Sequence, residues 1–402
     1  MPAAIRPDLP LLYLKRGEDA RLRGGHLWVF SNEVDTRRSP LTAFAPGDAC
    51  RIADAAGEPL GAGYVNPASL IAARIVARET GAALDAALLQ QRLQRALELR
   101  RRLYAEPWYR LLYGESDGVP GLTLDRFGDA IVAQATTAGI ERLKPEVEAA
   151  VRAVLAPRAM FWKNDAGIRA LEHLPLYAGL AFGEPATTVE VREAGLRFVI
   201  DPLGGQKTGW FYDQRANRDR FVRHVAGTRV LDVFCYLGGW GLRAAHAGAH
   251  GVLCVDTSQP ALQRLRQAAR DNGLDARVEV AQGDAFAVLR DLRAARERFD
   301  VAVVDPPAFV KRRKDLAEGR LAYRRVNAAV LRLLAPEGVL VSCSCSHHLS
   351  RDDLLAAIQA GARDAGRTLQ VLESLQQGPD HPVHPAIPET AYLKGFLCRV
   401  VE

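Results

Sequence analysis

The sequence predicts an α/β protein: a mainly parallel sheet in the C-terminal half, preceded by a small all-β barrel and a small α+β middle domain. Three observations lead there. Residues 11–80 break into short β-rich runs separated by Gly, Pro and Asn. From residue 186 onward, short apolar runs alternate regularly with helical stretches. Within that region Arg229 to Asp256, RVLDVFCYLGGWGLRAAHAGAHGVLCVD, reads as strand, glycine turn, helix and strand, a single βαβ unit. The expected domains are 1–80, 81–185 and 186–402.

At 402 residues the chain exceeds one ordinary core. It is 48% hydrophobic and 25% charged, a soluble globular composition. No apolar run approaches a membrane span, and MPAAIRPDLPLLYLKRGEDA lacks a signal-peptide core, so a cytoplasmic protein is expected. The net charge is +6. Its densest basic runs are Arg100-Arg101-Arg102, expected on a solvated helix face, and Lys311-Arg312-Arg313-Lys314, expected to meet phosphates. Cysteines at 50, 235, 254, 343, 345 and 398 form no CxxC and no zinc spacing; free thiols in a reduced compartment follow, and no metal is expected.

In order, LLYLKRG, HLWVFSNEV, GDACRIADAAG, PLGAGYVN and LIAARIVAR are the barrel strands, with Lys15, Arg16, Arg21 and Arg23 placed to face RNA. Residues 84–104 have helical apolar spacing. GESDGVPGLTLDRFGDAIVAQAT reads as a β-hairpin region with turns at Gly118 and Pro120-Gly121. Residues 139–155 are a further helix, and FWKND and Thr188–Arg192 follow as extended segments. VEVREAGLRFVIDP is a hairpin entering the last domain. Ser258 is a suitable N-cap, and Gly273 a suitable C-terminal residue, for the helix between them. Strands are expected at Val278–Ala281, Phe299–Val304 and Val339–Cys345, with a helix at 317–334 stopping before Pro336. A helix at 352–365 and strands near 368–374 and 392–401 complete the chain.

Helical connections imply parallel strands, with ligand at their carboxyl ends. Five strand ends carry candidate chemistry: Asp232 with Gly238, then Asp256, Asp284, Asp305-Pro306-Pro307 and Cys345. The glycines do not read G-x-G-x-x-G, and Asp232 would repel a pyrophosphate, so a ligand with a cationic end fits better than a dinucleotide. S-adenosylmethionine has an ammonium and a sulfonium. Asp232 is then assigned to its methionine end, Asp256 to its ribose and Asp284 to its adenine amine. The proline-locked loop from Asp305 to Phe309 can hold a flat heterocycle, with the acid on the base edge. Carbon 5 of a pyrimidine is a poor nucleophile, and a thiolate added at carbon 6 activates it. Cys345 lies nearer the strand tip than Cys343, which is expected in the core.

These elements resemble the bacterial 23S ribosomal RNA cytosine-C5 methyltransferase family, which has a PUA domain, a middle domain and a class I methyltransferase domain with a Rossmann-like sheet. The matching stretches are GGHLWVFSNEV, GESDGVPGLTLDRFG, GQKTGWFYDQRANR, VLDVFCYLGGWGL, VDTSQPAL, FDVAVVDPPAFV, SCSCSHHLS and AYLKGFLCRVV, which span the chain in order. The resemblance implies that Lys207, Thr208, Asp213 and Arg215 lie on the cofactor side. It places Phe234, Tyr236, Gly238, Asp256, Thr257, Asp284 and Asp305 with them. It implies Cys345 as nucleophile, Asp305 as its catalytic partner, and Pro306, Pro307, Phe309, Lys311 and Arg312 on the substrate side. It further implies S-adenosylmethionine as cofactor, 23S RNA or a large-subunit assembly intermediate as partner, and a homodimer. His347 and His348 stand where the family has glycine, and Ala308 where many RNA cytosine-C5 enzymes carry a second cysteine. Two other readings stay open: methylation of a purine amine or ring nitrogen, and an RNA-binding assembly factor with a vestigial cofactor site.

Overall fold

The structure, a computed structural model, describes residues 9–79 and 82–401. The boundary expected between residues 80 and 81 lies outside the described residues, as does the start of the N-terminal stretch read for a signal segment. The chain packs into two compact units. One comprises residues 1–189, 200–212 and 379–390, the other 190–199, 213–378 and 391–402.

In the first unit, β1 (Leu11–Tyr13), α1 (Ala20–Arg23), β2 (Trp28–Phe30), β3 (Asp48–Ala53), β4 (Pro59–Val65) and β5 (Ile71–Ala77) make the expected barrel. Its sheet order is β1-β3-β4-β5-β2. Leu12, Val29, Cys50, Ile52 and Ile75 fill it. The middle region adds α2 (Ala86–Leu103), β6 (Trp108–Tyr113), β7 (Leu122–Phe127), β8 (Ala130–Ala135), α3 (Ala138–Arg142), α4 (Lys144–Leu155), β9 (Ala159–Asn164) and β10 (Tyr177–Gly183). Its five strands are ordered β10-β9-β8-β7-β6. The carboxylate of Asp85 accepts from Leu88 N at 3.0 Å and caps α2, which buries Leu89, Leu93 and Leu97. The expected helix over 139–155 divides at Leu143, because Pro145 opens a new first turn.

Beside its own core, the barrel contributes to that of the middle region. Tyr64 and Val76 of the barrel join the apolar cluster of Leu93 and Leu124, and the Tyr64 hydroxyl donates to Pro120 O at 2.5 Å. Buried Glu172 collects Asn66 Nδ2 at 2.7 Å, Ser69 Oγ at 3.0 Å and Arg74 Nη1 at 2.9 Å. Arg100 is not on a solvated face. It is fully buried, grips both oxygens of Asp117 at 2.7 Å and donates to Arg110 O. The arginines expected to face RNA from the barrel are also largely engaged: Arg21 pairs with Glu33, and Arg23 with Asp19 and Asp54. Lys15 donates to Asn32 O.

The second unit takes most of the hairpin β11 (Val189–Glu193) and β12 (Leu196–Ile200), which turns at Ala194 and Gly195 with positive φ. Then come α5 (Arg215–Phe221), β13 (Arg229–Val233), α6 (Gly239–His246), β14 (Gly251–Asp256), α7 (Gln259–Asp271), β15 (Val278–Gln282), α8 (Ala285–Ala294) and β16 (Phe299–Val304). The unit closes with α9 (Leu316–Leu331), β17 (Leu334–Ser344), α10 (Arg351–Ala365), β18 (Leu369–Gln376) and β19 (Lys394–Val400). The sheet order is β15-β14-β13-β16-β17-β19-β18, and β19 alone runs against its neighbours. Order reverses at β13, so the crevice at its carboxyl end is the expected ligand site of such a sheet. The helix expected over 317–334 ends at Leu331, and Pro336 lies inside β17. There β17 bulges: Phe299 pairs with Leu334 and Val301 with Val339. Gly338 permits it, since a Cβ would meet Ala335 O at 2.8 Å and Asp300 O at 3.0 Å.

Glu193 is the electrostatic centre of this unit. It is 2% exposed and takes two bonds of 2.6 Å from Arg218 and one of 2.9 Å from Arg243, with Arg215 at 3.7 Å. Burial pushes its carboxyl up, but the guanidiniums, Arg218 foremost, outweigh this and hold it at about 2. A depressed carboxylate stabilises the fold above its unfolded value of 4.5 and loses that stabilisation as pH falls towards about 2. Glu193→Gln leaves buried cations unbalanced and is expected to cost ~3–5 kcal/mol in urea unfolding at pH 7. Its deficit against wild type should shrink through that acid window; a deficit constant with pH would refute the assignment.

Candidate active site

The turn after β13 is the first part of the site. Phe234, Tyr236 and Gly238 have φ of 67°, 50° and 77°, so the chain folds back tightly before α6. At Gly238 a Cβ would meet Leu265 at 2.7 Å, and at Gly241 it would meet Cys254 Sγ at 2.4 Å. Asp232 is fully buried beneath this turn. Its Oδ2 accepts from Gly241 N at 2.9 Å, and its Oδ1 is buried without a hydrogen-bond partner. Burial chiefly, helped by the charges of Asp305 and Asp256 and opposed by the Gly241 N–H, pushes its carboxyl up to about 7. An orphaned carboxylate oxygen here fits a ligand that brings an ammonium group. The S-adenosylmethionine expectation passes this test.

Asp256 accepts from Tyr236 N at 2.9 Å on one oxygen and from Ser258 N at 2.8 Å on the other, and remains partly exposed. The next residue, Thr257, is exposed. Asp284 caps α8 through Ala287 N at 3.1 Å, and its carboxylate stays at the surface. Each carboxylate thus has spare lone pairs at a strand end.

The second part is the loop from Asp305 to Val310. Gln214 Nε2 donates to Asp305 Oδ1 at 3.0 Å and Trp240 Nε1 to Oδ2 at 3.1 Å. Gln214 is itself oriented by Asn217 Nδ2 at 2.7 Å. Pro306 is buried, Pro307 exposed, and both have φ fixed by their rings. Phe309 meets Phe234 edge-on, ring centroids 6.3 Å apart, and Tyr323 at 4.9 Å. Lys311 and Arg312 follow at the surface, Arg312 in an exposed pair with Asp315.

The third part is the tip of β17. Cys345 lies one residue beyond the strand and is partly exposed; Cys343 is fully buried, and burial raises its thiol well above the ordinary range. The tip is tied to the acid loop. Ser346 Oγ accepts from Val310 N at 3.2 Å, and the Tyr323 hydroxyl lies 2.7 Å from Ser344 Oγ and 3.0 Å from Ser346 Oγ. From the other side buried Lys394 Nζ donates to Ser346 O at 2.6 Å and Leu349 O at 2.7 Å. Burial brings that amine down to about 8, against the opposing charge of Cys345. His347 stacks on Tyr392, whose hydroxyl bonds to Asp213.

The structure therefore gathers Asp232, Phe234, Tyr236, Asp256, Asp284, Asp305, Phe309 and Cys345 at the carboxyl ends of one sheet. Arg215 lies 3.7 Å from Glu193, at the edge of that cluster. Lys207 and Thr208 belong to the first unit, where the buried Thr208 hydroxyl donates to Asp125. Gln214, Trp240, Tyr323 and Lys394 were not singled out from sequence. Gln214 and Trp240 sat inside quoted motifs, but nothing in their spacing showed that both would donate to Asp305.

A family model for S-adenosylmethionine-dependent methyltransferases matches residues 175–399, and one for PUA-like domains matches residues 12–78. The chain is 38% identical over 397 residues to ribosomal RNA large subunit methyltransferase I of Klebsiella pneumoniae, covering 98% of both chains. It is 37% identical to the protein of that name from Salmonella arizonae, covering 100% of both. Among solved structures, a SAM-dependent methyltransferase from Streptococcus mutans aligns with a TM-score of 0.82 at 20% identity, over 98% of this chain and 100% of that one. A methyltransferase complexed with SAH aligns with a TM-score of 0.83 at 20% identity, over the same shares of the two chains. The chain belongs to the S-adenosylmethionine-dependent methyltransferase family that includes the ribosomal RNA large subunit methyltransferase I proteins, with a PUA-like domain at its N-terminal end.

Proposed function

We propose that this protein methylates carbon 5 of a cytosine in 23S ribosomal RNA, with Cys345 as the covalent nucleophile. The carrying observation is the pair of cysteines at the end of β17: Cys343, within the strand, is sealed in the core, whereas Cys345, just beyond it, is partly exposed beside the loop of Asp305. The relatives' names support ribosomal RNA as substrate, and the PUA-like domain supports RNA binding.

S-adenosylmethionine, when bound, supplies the electrophilic methyl group. Asp232 would receive its ammonium, Asp256 its ribose hydroxyls and Asp284 its adenine amine, with Phe234, Tyr236, Gly238 and Thr257 around them. Asp305, held as an acceptor by two donors, takes the exocyclic amine of cytosine and orients the ring. Pro306, Pro307 and Phe309 wall the base, and Lys311 and Arg312 meet the backbone. The Cys345 thiolate adds to carbon 6, which places electron density on carbon 5. After methyl transfer a water or a carboxylate takes the carbon-5 proton, the carbon 6–sulfur bond breaks, and the thiolate leaves as the ring is restored. The target must leave its stack to reach Cys345.

The test is transfer of labelled methyl to unmodified 23S RNA, with 16S RNA as control, followed by nucleoside chromatography. Label in 5-methylcytidine from 23S RNA is expected. Label in a methylated purine would remove Cys345 from its role.

Asp232 gives a pH signature. Below about 7 its carboxyl takes a proton and no longer attracts an ammonium. The affinity for S-adenosylmethionine should therefore be about tenfold weaker at pH 6 than at pH 8, and Asp232→Asn should flatten the dependence. Calorimetry that finds equal wild-type affinity at both pH values would separate Asp232 from the ligand.

A further inference from the structure

At the amino edge of the same sheet, Arg293, Arg296, Arg298, Arg332 and Arg367 line one hollow of about 360 Å³, completed only by Ala365 and Gly366. The arginines come from three places in the chain: the segment from α8 into β16, the end of α9 before β17, and the end of α10 before β18. No carboxylate lines the hollow. The neighbouring acids are each paired elsewhere: Glu297 with Arg229, Asp364 with Arg324, and Glu337 with Arg399.

Helix C-termini attract cations, and that accounts for part of the cluster. Arg298 donates to Glu297 O at 3.0 Å, Arg332 to Asp364 O at 2.6 Å and Arg367 to Leu334 O at 2.8 Å. A guanidinium has five N–H donors, so each of these bonds leaves most of them unused. The exposed side chains of Arg293 and Arg296 have no hydrogen-bond or ion-pair partner among the described residues. Five like charges converging without an acid repel one another, and an anion relieves this. The lining offers no aromatic or broad apolar wall for a nucleobase, so phosphate is the group recognised. β16 has 6 residues, so the hollow lies about 20 Å from the carboxyl strand ends.

We propose that this hollow is a second RNA contact. It holds backbone phosphates of a segment remote from the target nucleotide and so favours a large folded RNA over a short one. The inference rests on the reading of RNA as the substrate. It is tested on the full chain with Arg293→Glu/Arg296→Glu, both exposed positions, by two measurements. Filter binding of 23S RNA across a salt series should show about tenfold weaker binding, with a salt slope shallower by about one to two. Methyl transfer should show KM about tenfold higher on full-length 23S RNA with kcat unchanged, and neither changed on a short hairpin carrying the target. A milder pair, Arg293→Gln/Arg298→Gln, should give about a threefold change and serves if charge reversal disturbs folding. Wild-type binding and salt slope in these variants would overturn the proposal, as would equal losses on both substrates. Wild-type protein that binds 23S RNA but makes no 5-methylcytidine would instead refute the proposed chemistry, and the binding comparison would still decide on the hollow.

Discussion

Cys345→Ala is expected to abolish methyl transfer, by at least about 10³-fold in kcat, while leaving S-adenosylmethionine affinity within about twofold of wild type. Cys345 is the partly exposed thiol at the β17 tip, and in the proposed reaction the loss of a covalent nucleophile is not made good by binding or orientation. The fold should survive, since Cys345 is partly exposed and the tip is held through Ser346 and the backbone carbonyls that bind Lys394. Cys343→Ala is the internal control. It empties core space beside Gly395, where a Cβ would stand 2.8 Å from Cys343 Sγ. It should therefore cost stability of ~1 kcal/mol and leave kcat largely intact. Mass spectrometry with RNA containing a 5-fluorocytosine target should trap a covalent adduct with the Cys343→Ala protein and none with the Cys345→Ala protein. Activity retained in Cys345→Ala would transfer the protein to the amine-methylating alternative.

Asp305→Asn is expected to lower kcat by about 10²-fold or more. The reason is specific to this structure. Both carboxylate oxygens accept from fixed donors, Gln214 Nε2 and Trp240 Nε1. An amide offers one acceptor and must turn its NH2 towards one of those donors, so one bond becomes a donor–donor clash. The loop from Pro306 to Phe309 then loses its anchor, and the base of the proposed reaction its acceptor. Asp305→Glu keeps the charge but moves it by one methylene, and should recover only a small part of the rate. Steady-state kinetics on 23S RNA, with cofactor affinity measured separately, distinguish this from a cofactor effect. A kcat within threefold of wild type in Asp305→Asn would remove Asp305 from the reacting centre.

The identity of the strands, and of the acids that end them, was legible because both are local properties. Apolar β-branched runs read at Arg229–Phe234, Gly251–Val255 and Phe299–Val304 became β13, which ends at Val233, β14, which runs on to Asp256, and β16. Asp232, Asp256, Asp284 and Asp305 then fall at one edge, because parallel connections force all carboxyl ends to the same side. The cap at Ser258 and the positive-φ Gly273 were likewise readable, since caps depend on neighbours three or four residues away.

What sequence could not supply depends on residues distant in the chain. Pro336 looked like a helix stop, but the demand of β16 for a partner drew residues 334–344 into a bulged strand. Arg100 looked like a solvated charge because its partners, Asp117 and the carbonyls of Arg110 and Asp380, lie elsewhere in the sequence. Lys394, 48 residues from Ser346, anchors the tip that carries Cys345. The amino-edge hollow is assembled from Arg293, Arg332 and Arg367, arginines unremarkable where each stands. The sequence by itself determined which residue types end which strands, through periodicity and local hydrogen bonding. Only the tertiary structure decided which charges are paired, which thiol is sealed and which arginines converge, because burial and Coulomb energy are set by distances in space.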